Sequence, residues 1–158
     1  MQQTHYVAEL WTVEDARRVV VVDDDPWVLD FMAKVIVSDN HKVKRATSGA
    51  DALALLARVG HIDLLVADID MPGMSGTELA AEARRQMPGL KVLFASGHSD
   101  RLFVGHQVLA PRTSFIDKPM TPRGLREAVR LALFGSFNPS RDAWRHEAAL
   151  SPYLSSNR

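Results

Sequence analysis

The feature that most constrains the fold is a regular alternation, between residues 19 and 134, of short β-branched runs with helical patterns. The first run consists of four valines, as in a strand that is covered on both faces. The five predicted strands are residues 19–22, 43–46, 64–67, 92–95 and 113–116. Because a helical pattern follows each run, the sequence predicts an α/β fold, a doubly wound five-stranded parallel sheet with helices on both faces.

Capping residues mark the places where the predicted helices begin. In the first helix, Val28, Phe31, Met32 and Val35 recur at the spacing of one helix face, and the pattern ends near residues 38–40. The capping signals are Asp25 before Pro26, Ser48, the Ser75-x-x-Glu78 capping box, and Thr121 before Pro122.

The helical pattern between the fourth and fifth strands is the least regular of the five. It begins at Ser99 or Asp100, but Gly105 lies inside it and Pro111 ends it early. We predict a short helix in this part of the chain.

These patterns divide the chain into three parts. Residues 17–135 form the predicted domain, residues 1–16 are an N-terminal extension, and residues 136–158 are a C-terminal tail. The tail has a short helical pattern around Trp144, but it is too small to fold around a core of its own. One hypothesis is that the tail docks on the domain or mediates self-association, for example into a homodimer.

Composition excludes several classes of protein. Lys and Arg total 19 and Asp and Glu total 19, so the electrostatic signature of a free-standing nucleic-acid binder is lacking. Because the chain has no cysteine, it can form neither disulfides nor Cys-ligated zinc sites. Near the start of the chain, the strongly apolar stretch at residues 19–22 is too short for a membrane span or a secretory signal. We therefore expect a soluble, cytoplasmic domain.

Polar side chains that are capable of chemistry follow four of the five predicted strands. They are Asp23, Asp24 and Asp25 after the first strand, Asp68 and Asp70 after the third, Ser96 after the fourth, and Lys118 after the fifth. Since parallel strands place their carboxyl ends at one edge of the sheet, where ligands bind, we expect these residues to meet there.

The types of these residues indicate a phosphoryl-transfer site. Carboxylates that converge at one place repel each other, and a divalent cation such as Mg²⁺ relieves that repulsion. A lysine supplies a positive charge for a phosphate, and a hydroxyl supplies a hydrogen bond. A carboxylate nucleophile, a metal, a cation and a donor are together the parts that phosphoryl transfer requires.

Four segments, in this order, resemble the receiver domain of two-component response regulators. They are VVVDDDP at residues 20–26, LLVADIDMPGMSG at residues 64–76, LFASG at residues 93–97 and FIDKP at residues 115–119. The resemblance covers about residues 17–135. It implies a flavodoxin-like strand order of 2-1-3-4-5, and a signalling module that is not an enzyme beyond catalysing its own phosphorylation and dephosphorylation.

The resemblance also implies a role for each residue of the acidic pocket. Asp68 would accept a phosphoryl group from a histidine kinase or a phosphotransfer protein. Asp23, Asp24 and Asp68 would bind Mg²⁺, with Asp24 a more direct ligand than Asp23, and the backbone carbonyl of Asp70 would be a further ligand.

Further residues are implied to sense and transmit phosphorylation to a downstream protein target. Ser96 and Lys118 would contact the phosphoryl oxygens, and in this family the bond from this lysine to the next residue, Pro119, is usually cis. Phe115 lies at the position of the family's switch aromatic residue, whose rotation is coupled to the movement of Ser96. No direct contact with nucleic acid or with a membrane is expected.

Two alternatives stay open at this point. Asp68 and Asp70 also satisfy the D-x-D pattern of haloacid-dehalogenase-type phosphatases, although Met71-Pro72 follows them and a long βαβα segment precedes them. The second alternative is a degenerate receiver that acts only as an interaction module, but the pocket positions all carry competent residues.

Overall fold

The structure is a computed structural model that describes residues 16–98 and 110–135. Five strands and four helices alternate through most of this part of the chain. In chain order they are β1 (Arg18–Val22), α1 (Pro26–Ser38), β2 (Lys42–Ala46), α2 (Gly49–Val59), β3 (Leu64–Asp68), α3 (Gly76–Gln86), β4 (Lys91–Ser96), β5 (Thr113–Asp117) and α4 (Pro122–Phe134). All five predicted strands are present, each longer by one or two residues than the sequence pattern indicated.

The strands form one parallel sheet in the order β2-β1-β3-β4-β5. This confirms both the doubly wound fold and the strand order that the resemblance implied. In the central part of the sheet, Val22 is level with Ala46 on one side and with Ala67 on the other. The carboxyl ends of the strands therefore lie close together at one edge, which we call the carboxyl edge. We call the opposite edge, where the strands begin, the amino edge.

Alternate residues of the strands face two separate hydrophobic cores. Val20 and Val22 of β1 contribute to the core that α2 and α3 cover, whereas Val19 and Val21 contribute to the core that α1 and α4 cover. A strand that is buried on both faces is apolar throughout, which explains the run of four valines. β2 lies at the side of the sheet and carries exposed basic residues, which protect an open strand from pairing with another chain.

The helix caps agree with the sequence signals, but the buried face of α1 differs from the predicted one. The Asp25 carboxylate accepts hydrogen bonds from the first-turn amides of α1, and Ser75 and Glu78 form the predicted capping box of α3. In α1, Leu29 and Ile36 are buried, whereas the predicted Val28 and Phe31 are only half-buried at the margin of the core. Periodicity gives the width of an apolar stripe, but packing against the sheet fixes its centre.

Three of the predictions fall on residues outside the described ranges. They concern the helix at Ser99 or Asp100, the N-terminal extension and the C-terminal tail, so all three remain predictions. Among the helices that the structure describes, none is both long enough and apolar enough to cross a bilayer.

Candidate functional site

The sheet brings the predicted polar residues together at the carboxyl edge. Asp23 follows β1 directly, Lys118 follows β5, and Asp68 and Ser96 are the last residues of β3 and β4. Asp68 and Ser96 thus lie inside their strands, one position earlier than predicted. Because the ladder hydrogen bonds hold the ends of these strands, the backbone positions of both residues are fixed by the sheet.

Three carboxylates form a cluster at this edge. Oxygen atoms of Asp23, Asp24 and Asp68 all lie within 4.8 Å of one another. Asp23 is fully buried and Asp68 is 6% exposed, whereas Asp24 is exposed to solvent. Oxygen ligands at this spacing, with one open side, suit a hard divalent cation. The cluster can therefore hold a metal ion.

Lys118 provides the positive charge opposite this cluster. Its Nζ atom lies 2.7 Å from Oδ2 of Asp23 and 3.4 Å from Oδ1 of Asp68. Burial favours the neutral amine, but the hydrogen bond and charge of Asp23, together with the charge of Asp68, produce a net increase in the pKa of Lys118. The lysine is therefore held as a cation between the two buried carboxylates.

The same surroundings raise the pKa of Asp68 as well, but for a carboxyl group this favours the neutral form rather than the charged one. Burial raises the pKa of Asp68, and the negative charge of Asp23 adds to this effect, while Lys118 opposes it only in part. An ionised Asp68 is thus less well solvated than a surface carboxylate. A bound cation would supply the missing stabilisation, which is a further reason why these residues fit a metal ion.

Asp23 and Asp24 are held very differently. The Asp23 carboxylate accepts the backbone N–H of Asp25 at 2.9 Å through Oδ1 and the Lys118 ammonium through Oδ2. The Asp24 side chain has no hydrogen bond or ion pair with any residue in the described ranges. Asp25 acts as the helix cap, as predicted, and its N–H also orients Asp23. Asp24 is therefore the carboxylate that is most available to an incoming ion.

The loop after β3 packs tightly beneath Asp68. The N–H of Gly76 donates to the carbonyl oxygen of Ile69 at 2.9 Å, and a Cβ atom at position 76 would overlap the carbonyl oxygen of Asp68. Sequence reasoning did not identify Gly76 as a contact of Asp68. The one signal in the sequence was a glycine at the first position of a helix. At such a position the lack of a side chain, and not the wider range of backbone angles, explains why glycine is present.

Asp70 lies on the outer side of this loop. It is exposed, and its backbone N–H donates a long hydrogen bond of 3.4 Å to Oδ1 of Asp68. The backbone of Asp70 is therefore close to the acidic cluster, while its side chain is accessible to solvent.

Ser96 and Phe115 lie on neighbouring strands beside the cluster. The Ser96 side chain is 2% exposed; its Oγ accepts the N–H of His98 at 3.0 Å, and its carbonyl oxygen accepts the N–H of Lys118 at 2.8 Å. The half-buried Phe115 ring lies 5.4 Å from the Phe94 ring between centroids. The peptide bond between Lys118 and Pro119 is cis.

Comparison with known families identifies the kind of domain. A family model described as "Response regulator receiver domain" matches residues 19–130. The chain belongs to that family. It is a phosphoacceptor signalling module of two-component systems rather than a classical enzyme, which decides against the dehalogenase-type phosphatase.

Individual relatives agree with this assignment. The transcriptional regulatory protein GlrR of Escherichia coli (strain K12) is 32% identical over 130 residues, which are 80% of this chain and 28% of GlrR. The crystal structure of the receiver domain from the hybrid histidine kinase CckA is 29% identical, with a TM-score of 0.63, and the match covers 73% of this chain and 98% of that domain. A receiver protein from Sinorhizobium medicae WSM419 is 26% identical, with a TM-score of 0.66, over 76% of this chain and 96% of that protein.

The lengths of these relatives differ greatly. This chain spans less than a third of GlrR but almost the whole of the two solved receiver proteins. The similarity therefore concerns the receiver domain itself, and not the remaining parts of the longer regulators.

Proposed function

We propose that Asp68 accepts a phosphoryl group from the phosphohistidine of a histidine kinase or a phosphotransfer protein in the cytoplasm. The observation that carries this proposal is the position of the Lys118 ammonium, within 3.4 Å of both Asp23 and Asp68, at the edge where the acidic cluster opens to solvent. A lysine in this place balances the charge of the carboxylates before transfer and the charge of a phosphoryl group after it.

In the proposed reaction, a carboxylate oxygen of Asp68 attacks the phosphorus atom of the donor. A new P–O bond forms and the P–N bond of phosphohistidine breaks, so its electron pair returns to the histidine ring. The product is an acyl phosphate on Asp68. Lys118 and the Ser96 hydroxyl are the groups that would bond to oxygen atoms of the transferred group, because Ser96 ends the strand next to β3 and the Lys118 ammonium lies 3.4 Å from Oδ1 of Asp68.

Magnesium is the metal that we assign to the acidic cluster. Asp24, Asp23, Asp68 and the backbone carbonyl of Asp70 would hold it, since Mg²⁺ prefers oxygen ligands and binds phosphate oxygens in addition to carboxylates. When bound, the ion would neutralise negative charge on the carboxylates and on the phosphoryl oxygens.

Phosphorylation would be transmitted to a downstream protein target through Ser96 and Phe115. The phosphoryl group adds about −1.5 to −2 charges at the end of β3, next to the buried Ser96 hydroxyl. A movement of Ser96 towards the phosphoryl group would change the packing of the neighbouring strand, where Phe115 contacts Phe94. Phosphorylation changes the affinity for the target only if the target binds one of the two arrangements more tightly than the other.

Labelling with a small phosphodonor tests the proposal. We expect the full chain, incubated with Mg²⁺ and acetyl phosphate, to gain the mass of one phosphoryl group, and the label to disappear in Asp68→Ala. The matched control is Asp70→Ala, which removes an exposed carboxylate from the same loop but keeps the backbone carbonyl, and which should still be labelled. An unlabelled wild type would favour the degenerate receiver, and equal labelling of Asp68→Ala would refute Asp68 as the acceptor.

A further inference from the structure

The amino edge of the sheet is strongly basic, although the chain as a whole carries no net charge. Three strands begin with a basic residue, and basic residues directly precede two of the five strands. These residues are Arg18, Lys42 and Lys91 at strand starts, with Arg17 before β1 and Arg112 before β5. They come from four adjacent or nearly adjacent strands and therefore form one surface, which we call the basic edge.

Few carboxylates within the described ranges neutralise the basic edge. The side chains of Arg18, Lys42 and Arg112 are exposed and have no carboxylate within 4 Å among the described residues. Arg17 lies over the Phe134 ring, with 5.2 Å between the guanidinium carbon and the ring centroid. The Lys91 ammonium contacts the carbonyl oxygen of Leu133. The edge thus has an excess of positive charge that an acidic segment could neutralise.

A cavity of about 310 Å³ lies within this surface. Its apolar lining includes Ile62, Leu90 and Leu133, and its basic lining includes Arg17 and Lys91. One carboxylate, Asp63, also lines it, but it already accepts the Arg18 backbone N–H and lies 3.2 Å from His61, so the lining keeps more positive than negative charge. An occupant of this cavity needs both apolar side chains and negative charge.

The N-terminal part of the chain has this combination. Residues 1–15 contain Glu9, Glu14 and Asp15 but no lysine or arginine, and apolar Leu10, Trp11 and Val13 stand among the acids. The C-terminal tail is a poorer match, because residues 136–158 carry three arginines and only two acidic residues.

Chain continuity limits how far these acidic residues can lie from the basic edge. Asp15 is two residues from Arg17, which lines the cavity, so at about 3.5 Å per residue its Cα lies within about 7 Å of the Cα of Arg17. A tether of this length keeps the effective concentration of the segment high, so that weak ion pairs and a modest apolar contact are enough to hold it.

We propose that residues 9–15 of this chain dock on the basic edge, with apolar side chains in the cavity and Glu9, Glu14 and Asp15 beside its basic residues. The contact forms within one chain, at the edge opposite the phosphoacceptor. It masks a basic surface that would otherwise attract acidic partners.

A paramagnetic label on the full chain tests this docking. The chain has no cysteine, so Ala8→Cys gives a single site for a nitroxide. The label is nine positions before Arg17, so at about 3.5 Å per residue it can lie up to about 30 Å from Arg17 when the segment is undocked. We expect the label to broaden the amide signals of Ile62, Gly89 and Lys91 and to leave those of Asp24 and Gly97, at the carboxyl edge, much less affected.

Charge-neutralised variants decide whether the acidic residues cause the effect. In the labelled chain with Glu9→Gln, Glu14→Gln and Asp15→Asn, the docked population should fall about fivefold, which corresponds to the loss of three ordinary surface ion pairs. The matched control, Asp142→Asn with Glu147→Gln in the tail, should leave the broadening unchanged. Equal broadening in the neutralised variant would overturn the proposal.

Two further outcomes would also overturn it. Broadening of an unlabelled, isotope-enriched chain by a separate labelled chain would mean that the occupant is a second copy. If a short duplex DNA shifts the amide signals of the basic edge as strongly in the full chain as in the neutralised variant, the acidic segment does not cover this surface.

Discussion

The two edges of one parallel sheet have opposite electrostatic designs. At the carboxyl edge, Asp23, Asp24 and Asp68 converge within 4.8 Å, and Lys118 is held among them. At the amino edge, the basic residues are spread over several strands and mostly face solvent. Removing one charge from the cluster leaves a buried group without its counter-charge, which destabilises the fold. Removing one of the dispersed charges at the amino edge has little effect, because water screens charges at the surface.

The two edges also treat a carboxyl group differently. The pKa of Asp68 is raised, mainly by burial. Burial acts in the same direction on Asp63 at the amino edge, but hydrogen bonds from the Arg18 N–H and from His61 more than offset it, so the pKa of Asp63 is lowered. The fold therefore stabilises the ionised form of Asp63 at the amino edge and destabilises the ionised form of Asp68 at the carboxyl edge. Shifted pKa values of this kind are common at functional sites.

The largest expected effect comes from comparing how tightly the backbone is packed at the two edges. Gly76→Ala places a methyl group against the carbonyl oxygen of Asp68, so we expect a loss of about 3 kcal/mol in the free energy of unfolding, measured with urea. Labelling by acetyl phosphate should fall as well in the fraction that folds. Gly89→Ala near the amino edge is the control, because a Cβ there meets nothing within 4 Å, and its stability should change by less than about 1 kcal/mol. Similar losses in both variants would show that the carboxyl edge is no more tightly packed.

Magnesium should stabilise the folded domain by binding at the carboxyl edge and not at the amino edge. At a concentration about 100 times its dissociation constant, Mg²⁺ should raise the free energy of unfolding at pH 7 by about 2.7 kcal/mol. Asp24→Asn should remove most of this gain, since it replaces the carboxylate that has no other partner in the described ranges.

Asp39→Asn provides the matched control for magnesium. Asp39 forms an ion pair with Arg126 at 3.0 Å, away from the cluster, so its loss should leave the magnesium effect intact. Equal magnesium responses in Asp24→Asn and the wild type would exclude Asp24 as a ligand.

The smallest expected effect is a difference in pH dependence between the two carboxyl groups. Because the pKa of Asp68 lies above the ordinary 3.8, the folded state holds this proton more tightly than the unfolded state, and ionisation at neutral pH destabilises the fold. Without Mg²⁺, Asp68→Asn should therefore be more stable than the wild type at pH 7. This gain should shrink as the pH falls through the raised pKa and vanish below about 3.8.

Asp63 should show the opposite sign. Its pKa lies below 3.8, so its contribution to stability is present above that value and is lost as the pH falls through the lowered pKa. Asp63→Asn should cost about 1 kcal/mol at pH 7, by weakening the hydrogen bond of 2.8 Å from the Arg18 N–H. Urea unfolding of both variants between pH 3 and pH 7 measures the two trends, and trends of the same sign would contradict the contrast between the edges.

Much of the fold was predictable because its signals are local. The alternation of strands and helices, the caps at Asp25 and Thr121 and the capping box of Ser75 and Glu78 each depend on residues that are neighbours in sequence. The positions of the site residues followed from one additional rule, that parallel strands end at a common edge. Gly76 was missed as a contact of Asp68, since that contact depends on how α3 packs against the end of β3.

The amino-acid sequence alone determined the strand and helix pattern, the helix caps and the set of side chains available for chemistry, because these follow from periodicity and from the properties of single residues. Only the tertiary structure decided which face of α1 is buried, how Lys118 is shared between Asp23 and Asp68, and that three carboxylates converge at one edge of the sheet while five basic residues lie along the other. These features depend on distances between residues that are far apart in the chain. The number of charges in a sequence contains no information about such distances.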